Sequence, residues 1–402
     1  MTATALTGSP LAAMLECPSA FSDEELARRD TVREFVDRRV RPGIAAWYES
    51  AHFPVELVPE FAELGLLGMH LQGYGCAGRT AVDYGLAMQE LEAGDSGLRT
   101  FVSVQGSLAM TAIHHHGSEE QKSRWLPGMA RGETIGCFAL TEPAAGSDPG
   151  AMTTTAVESG GEWVLNGSKR WIGLATIADV AIVWAKAAVD GGRERVRGFI
   201  VPTDTPGFVA RAIEPKLSMR ASVQCDVELT DVRLPLDALL PENAGLAGPL
   251  ACLDEARYGI VWGAVGAARD ALTQAADYAQ ERSPFGQPLA SYQLTQRKLV
   301  DLALEVQKAQ LLAVHLGRLK DAGALPTPLI SSGKLNNCRT AIEVCREART
   351  ILGGNGVTLD YSPLRHANNL ESVRTYEGTD EIHTLILGQY LTGHNAFRPG
   401  TR

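Results

Sequence analysis

The sequence predicts an α+β protein in three parts: a helical N-terminal domain at residues 1–137, a middle β-domain of barrel or sandwich type at 138–240, and a C-terminal four-helix bundle at 241–402. Two changes of hydrophobic period predict it. Apolar residues recur at helical spacing through the first third, give way to short β-branched runs, and return to helical spacing in long stretches. Size agrees, since 402 residues at roughly 100–200 per domain make two or three domains. A composition of 45% hydrophobic and 21% charged residues excludes a disordered or low-complexity chain.

Residues Met1–Ser19 read as a short tail, with no charged segment before an apolar stretch. Ser22 with Glu25 forms a capping-box pattern, in which the hydroxyl accepts from the N3 amide and the carboxylate reaches back. Leu26, Val32, Phe35, Val36 and Val40 follow at helical spacing. Further helices are predicted at Pro54–Leu66, Ala81–Ala93, Phe101–His116 and Glu119–Ala130, with Gly117 and Gly132 as stop signals. In the middle, Asn166-Gly167 between two strand-like runs, Glu162 to Ile172, predicts a tight hairpin, because a type I′ turn needs two residues at positive φ. Strands follow at Val180–Ala187, Val196–Pro202, Phe208–Ile213 and Val223–Leu229. The last part reads as long helices at Pro249–Arg282, Tyr292–Asp321 and Pro328–Leu352, with a final one at Asp380–Leu391.

A net charge of −10 disfavours a nucleic-acid role, which needs a basic footprint. No apolar run approaches the ~18 residues of a membrane span, so no membrane insertion is expected. Seven scattered cysteines without a CxxC read as reduced, cytoplasmic thiols. His114-His115-His116 point about 100° apart on a helix and are not expected to converge on a metal.

No Gly-x-Gly-x-x-Gly follows a strand, and no Walker sequence or His-Glu-x-x-His is present. Gly353-Gly354-Asn355-Gly356 follows a helix and on pattern alone is a C-cap and turn. The Thr-, Pro-, Gly- and Ser-rich stretch Phe138–Asp148 reads as a domain connector that would also offer amides and hydroxyls to a ligand at a domain interface. Glu377 precedes Gly378 just before the last helix, where Thr379 is an N-cap candidate. A carboxylate there is either a surface group or, if it faces inward, a base with a raised pKa.

Seven stretches taken together resemble the acyl-CoA dehydrogenase family, and within it the glutaryl-CoA branch. They are Asp95–Arg99 with Ser103-Val104-Gln105, Gly136–Pro143, Gly146–Pro149, Ala256–Gly263, Leu316–Asp321, Leu352–Gly356, and Thr375–Thr379 leading to Ile382–Gly388. The resemblance spans about Ser22 to Phe397. It implies non-covalent FAD, a homotetramer, oxidation of an acyl-CoA at Cα–Cβ, and an electron-transfer flavoprotein as acceptor. It assigns Glu377 as the base that removes the α-proton. Ala256 stands where the isovaleryl type carries its base instead.

Arg99 matches the guanidinium that meets the distal carboxylate of glutaryl-CoA, with Ser103 and Glu92 beside it. Retention of Glu92 and Tyr376 resembles the members that go on to release CO2 and form crotonyl-CoA. The remaining substrate positions are Thr100, Ser147, Leu253, Asp254, Arg257 and Gly378. For FAD the resemblance implies Phe138, Leu140, Thr141, Gly146, Ser147, Trp171, Ile172, Gly173, Thr379 and Phe397. Arg282, Phe285, Gln293, Thr350, Leu352, Gly353 and Gly354 would meet a neighbouring subunit's FAD. The family usually reads Trp-Ile-Thr where this chain has Trp171-Ile172-Gly173, which removes a hydroxyl near flavin N5. The alternatives are a dehydrogenase of another dicarboxylic or short-chain acyl-CoA, or a non-catalytic acyl-CoA-binding member of the fold.

Overall fold

The computed structural model describes residues 9–189, 192–243 and 245–397. Its N-terminal part contains α1 (Pro10–Glu16), α2 (Asp23–Phe35), α3 (Ile44–Ser50), α4 (Val58–Glu63), α5 (Ala81–Gly94), α6 (Ser96–Val102), α7 (Thr111–His116) and α8 (Glu119–Ala130). The predicted tail is thus helical from Pro10, and its first eight residues lie outside the described ones. The Ser22–Glu25 capping box forms in both directions. The helix expected at Pro54–Leu66 is only α4 behind a short 3₁₀ turn, because Pro54 and Pro59 restrict its first turn. The helix expected from Phe101 begins at Ser96, and its centre, Ser103–Met110, winds as π-helix. α5 and α6 are buried on every side, which leaves no polar stripe for a periodicity argument to use.

Among the described residues the middle part has seven strands: β1 (Gly136–Ala139), β2 (Thr155–Ser159), β3 (Glu162–Gly173), β4 (Val180–Ala187), β5 (Arg195–Pro202), β6 (Phe208–Ala212) and β7 (Gln224–Pro235). They form one curled sheet in the order β1-β4-β2-β3-β7-β6, with β5 also on β4. β1 runs parallel to β4, with Phe138 opposite Ile182. The curl brings the end of β1 back to β3, where the Arg170 N–H donates to the Thr141 carbonyl at 2.9 Å. β1 overlaps the stretch from Phe138 expected as a connector, and β2 is a strand that the sequence pattern does not signal.

The expected turn at Asn166-Gly167 is corrected by the structure. β3 runs straight through it, and Gly167 sits at a register shift against β7. Gly167 is needed for close approach, since a Cβ there would lie 2.7 Å from the Thr154 Cα. Asn166 bonds across to Asp231, its Nδ2 to Oδ1 at 3.1 Å and its Oδ1 to the Asp231 amide at 2.8 Å. The real hairpin joins β2 to β3 through Gly160 and Gly161 at φ +65° and +82°.

The C-terminal part holds α9 (Ala247–Glu281), α10 (Gln293–Asp321), α11 (Thr327–Ile351), α12 (Pro363–Val373) and α13 (Asp380–Thr392). α12 was missed by the sequence reading. α9 packs on α5 as well as on α10 and α11, so the two helical parts share one interface. The Asp321 carboxylate at the end of α10 accepts from the Ala81 amide at 2.6 Å, and the Tyr258 hydroxyl donates to the Ala81 carbonyl at 2.8 Å.

Candidate active site

The corner between α5 and α6 builds a buried cation. Asp95 breaks the helix in an extended conformation and caps α6, its Oδ1 accepting from the Gly97 amide at 2.7 Å. Its other oxygen accepts from Arg365 and, at 2.9 Å, from Asn369, both on α12. This fixed corner turns Arg99 inward, where it is 0% exposed. Arg99 Nε donates to Glu92 Oε2 at 2.6 Å, and Ser96 Oγ donates to Glu92 Oε1 at 2.8 Å. Arg99 Nη2 donates to the Tyr376 hydroxyl at 2.5 Å, which also lies 3.2 Å from Thr100 Oγ1. The pair fits only because α9 offers Gly263 here: a Cβ would lie 2.0 Å from Glu92 Oε2. Arg99 and Glu92 are therefore interior groups.

Glu377 lies between α12 and α13 at φ +54°, followed by Gly378 at φ +97°. Burial raises its carboxyl pKa, against the pull of the Arg99, Lys334 and Arg257 cations. Its Oε2, Arg99 Nη1 and Ser103 Oγ are all sealed from solvent without a protein partner. Three such orphans on neighbouring residues mark a space that expects a polar ligand. Arg257 Nε donates to the Glu377 carbonyl at 2.8 Å while Nη1 holds Asp254 at 2.8 Å. Burial raises the Asp254 pKa. Leu253 is half-buried beside them, and Thr379 caps α13, its Oγ1 accepting from the Ile382 amide.

The residues expected at a flavin fall into two groups. Thr141, at the exit of β1, meets the end of β3, where Trp171 (φ +63°, 53% exposed) carries the Arg170 guanidinium 4.9 Å over its ring. Ile172, Phe138 and Leu140 are buried, with Phe138 packed on Trp184. Gly146 and Ser147 lie exposed on the following loop. The second group surrounds a cavity of about 370 Å³ lined by Tyr278, Arg282, Leu352, Gly353, Gly354 and Asn355, among others. Phe285 beside it is 97% exposed, and Gln293 and Phe397 are also exposed. Thr350 accepts from Lys298 at 3.0 Å.

Family models of the acyl-CoA dehydrogenase N-terminal, middle and C-terminal domains match residues 22–133, 137–232 and 243–392. The chain belongs to the acyl-CoA dehydrogenase family. It is 37% identical over 366 residues to the mitochondrial short-chain specific acyl-CoA dehydrogenase of Bos taurus, covering 90% of this chain and 89% of that protein. A solved glutaryl-CoA dehydrogenase from Mycobacterium smegmatis, in complex with FADH2, is 57% identical, covers 96% of this chain and 100% of its own, and superposes with a TM-score of 0.93. A structure described as electron transferring flavoprotein of Acidaminococcus fermentans is 30% identical over 93% of this chain and 99% of its own, with a TM-score of 0.88.

As an acyl-CoA dehydrogenase the chain is an enzyme acting on CH–CH groups, with FAD as cofactor. The residues present fit that cofactor. Gly353 and Gly354 have open space where a Cβ would stand, beside Arg282, as a pyrophosphate requires. The edge where β1 meets β3 is held by a buried pair that no sequence pattern signalled. Lys169 Nζ donates to Glu142 Oε1 at 2.9 Å and to the Leu140 carbonyl at 3.1 Å. Glu142 also accepts from the Thr153 and Thr154 amides at 2.6 and 2.9 Å. A second missed residue is Lys334, which is 1% exposed on α11. It stands in helical phase with Ile330, Cys338 and Ala341, and a lysine inside an apolar stripe was the available signal. The three consecutive histidines end α7 with successive rings edge to face, and no metal-binding cluster occurs among the described residues.

Proposed function

We propose that this acyl-CoA dehydrogenase oxidises glutaryl-CoA and releases CO2 to give crotonyl-CoA. The observation that carries this reading is the buried Arg99, whose Nη1 has no protein partner in a pocket that also holds the sealed Oε2 of Glu377. Glu92 and Tyr376 hold Nε and Nη2, so the buried Nη1 is the donor left for a carboxylate that arrives with the substrate, and a buried donor left unmade is costly. A neutral short-chain substrate gives Arg99 nothing to bind. The 57% identity to the M. smegmatis glutaryl-CoA dehydrogenase supports the same choice over the short-chain relatives at 37%.

In this reading the distal carboxylate binds Arg99 with help from Ser103 and Thr100, and the thioester lies by Glu377. Asp254, Arg257, Leu253, Gly378 and Ser147 line the path of the CoA. Glu377 takes the proton from Cα, and its amide supports the thioester oxygen. FAD, when bound, accepts the hydride from Cβ. The distal carboxylate, now β,γ to a double bond, leaves as CO2, and the acid form of Glu377 returns a proton at Cγ. Glu92 and Tyr376 keep Arg99 oriented through both steps.

Phe138, Leu140, Thr141, Gly146, Ser147, Trp171, Ile172, Gly173, Thr379 and Phe397 are assigned to one flavin. Phe138 and Leu140 would act mainly through their main chain, because their side chains lie in the core. Arg282, Phe285, Gln293, Thr350, Leu352, Gly353 and Gly354 are assigned to a second copy's FAD. The exposed Phe285 and the row Leu294, Val300, Leu304 and Leu311 on α10 support a homotetramer, which sedimentation would read directly. Electrons pass to an electron-transfer flavoprotein, and the unpaired cysteines favour the cytoplasm.

Mixing the FAD-loaded protein with glutaryl-CoA under anaerobic conditions tests the reading. The flavin band bleaches, and crotonyl-CoA and CO2 appear. Bleaching by butyryl-CoA but not by glutaryl-CoA would sink the assignment of Arg99.

A further inference from the structure

The loop that carries Glu377 is gripped by two buried cations. Lys334 Nζ donates to the carbonyls of Tyr376 and Gly378, both at 2.6 Å. Arg257 Nε donates to the carbonyl between them, that of Glu377, at 2.8 Å. Three consecutive carbonyls therefore turn inward, which requires the two successive left-handed residues, Glu377 and Gly378. A glutamate adopts that conformation at a cost unless its surroundings impose it. The grip is rigid from below, since a Cβ on Gly378 would lie 2.9 Å from His383 Nε2, and His383 is fixed to Ser331 at 3.0 Å.

We propose that Lys334 is a positioning residue for proton abstraction: its ammonium fixes the left-handed turn that aims Glu377, and its charge keeps the substrate-loaded site from being net negative once Glu377 has taken the substrate proton. The proposal rests on the dehydrogenase reading above, with Glu377 as base.

The charge inventory supports the second half. Glu377 is faced by Arg99 on α6, Lys334 on α11, Arg257 on α9 and Glu92 on α5. Lys334 is faced by Cys338, Glu377, Arg257 and Asp380, and Asp380 is itself held by Arg339 and Arg374. With the substrate's distal carboxylate on Arg99, the Arg99, Arg257 and Lys334 cations face four anions: Glu92, Asp254, Glu377 and that carboxylate. After the Cα proton has moved onto Glu377, three cations face three carboxylates, so the negative charge building on the thioester meets a neutral site. A neutral side chain at position 334 would leave that site one charge negative. The lowered pKa of Lys334, about 8 through burial, agrees with an ammonium held at a cost for a purpose.

The test uses the full-length, FAD-loaded protein carrying Lys334→Met, Lys334→Gln or Lys334→Arg. Flavin content, thermal midpoint, kcat and KM against pH, and exchange of the Cα–H of bound acyl-CoA with D2O are measured. In the Met and Gln variants the acid limb of kcat moves up by about one pH unit, as loss of one nearby cation predicts. In the same variants kcat and Cα–H exchange at neutral pH fall by about tenfold or more, while KM changes by less than about threefold. The Arg variant keeps the acid limb. An unshifted acid limb in Met and Gln, or a loss confined to KM or flavin content, overturns the proposal. If Met does not fold, Gln against Arg decides, because both retain donors and only one retains charge; coincident limbs overturn it. A wild-type protein that oxidises no acyl-CoA overturns the dehydrogenase reading and this proposal together, whereas an active wild type with unshifted variants overturns this one alone.

Discussion

Glu377 is a carboxylate that its own fold disfavours. Burial raises its pKa above the usual value of 4.5, so the protonated form persists to higher pH than in an ordinary glutamate. The working carboxylate is therefore lost as pH falls through that raised value, and the acid limb of kcat lies above the normal glutamate range. Lys334, lowered to about 8, loses its ammonium as pH rises through that value, which places an alkaline limb there. A bell-shaped kcat profile with those limbs is expected, and a flat profile from pH 5 to 9 would contradict it.

Glu377→Gln should cost about 10³-fold or more in dehydrogenation, within or beyond the usual range for a positioned base. A raised pKa means that the folded state holds its proton more tightly than the unfolded chain. The ionised group therefore destabilises the fold above that pKa, and removing it should raise the thermal midpoint at pH 7. Arg99→Met should cost about 3–5 kcal/mol of stability by stranding the buried Glu92, and Arg99→Met with Glu92→Met should recover much of it. Urea unfolding of the single and double variants reads the difference.

At the scale of elements, the signals with local causes were readable. The Ser22 box, the period of α9, α10 and α11, and β4 follow from neighbours within a few residues. The hairpin failed because two turn-forming dipeptides compete. Asn166-Gly167 and Gly160-Gly161 both satisfy the turn rule, and only packing of Gly167 against Thr154 shows that the first is a close approach inside a strand. Gly167→Ala should therefore cost about 1–3 kcal/mol through overpacking, while Gly160→Asn, which keeps positive φ in open space, should be nearly neutral. Thermal unfolding of the two variants separates a turn from a contact. α5 lies where the sequence predicts it, whereas the start of α6, expected at Phe101, lies at Ser96, because a helix buried on every side has no face to count.

Across the whole molecule, the three predicted parts become two helical parts fused through α5 and α9, with the curled sheet against them. The fusion places Glu92 and Arg99 from the first part against Gly263, Lys334 and Glu377 from the last. FAD binding, which the folded form alone offers, should stabilise the flavin-free protein by about 2.7 kcal/mol at a hundredfold excess over Kd. A thermal midpoint that does not rise with added FAD would contradict the cofactor assignment.

The sequence by itself determined the order of helical, β and helical parts, the family resemblance, and the residue types at the site, because each rests on local period or on residues in register. It left Glu377 open between surface and interior, and its local pattern gave no partner for Arg99, because burial is a property of distant partners. Only the tertiary structure decided those. It set Arg99 against Glu92 in the space that Gly263 leaves, and it brought Lys334, 43 positions from Glu377 in the chain, onto the carbonyls either side of it. The net charge of −10 describes the solvent-facing average, while the pocket's chemistry comes from the few cations the fold shields from water.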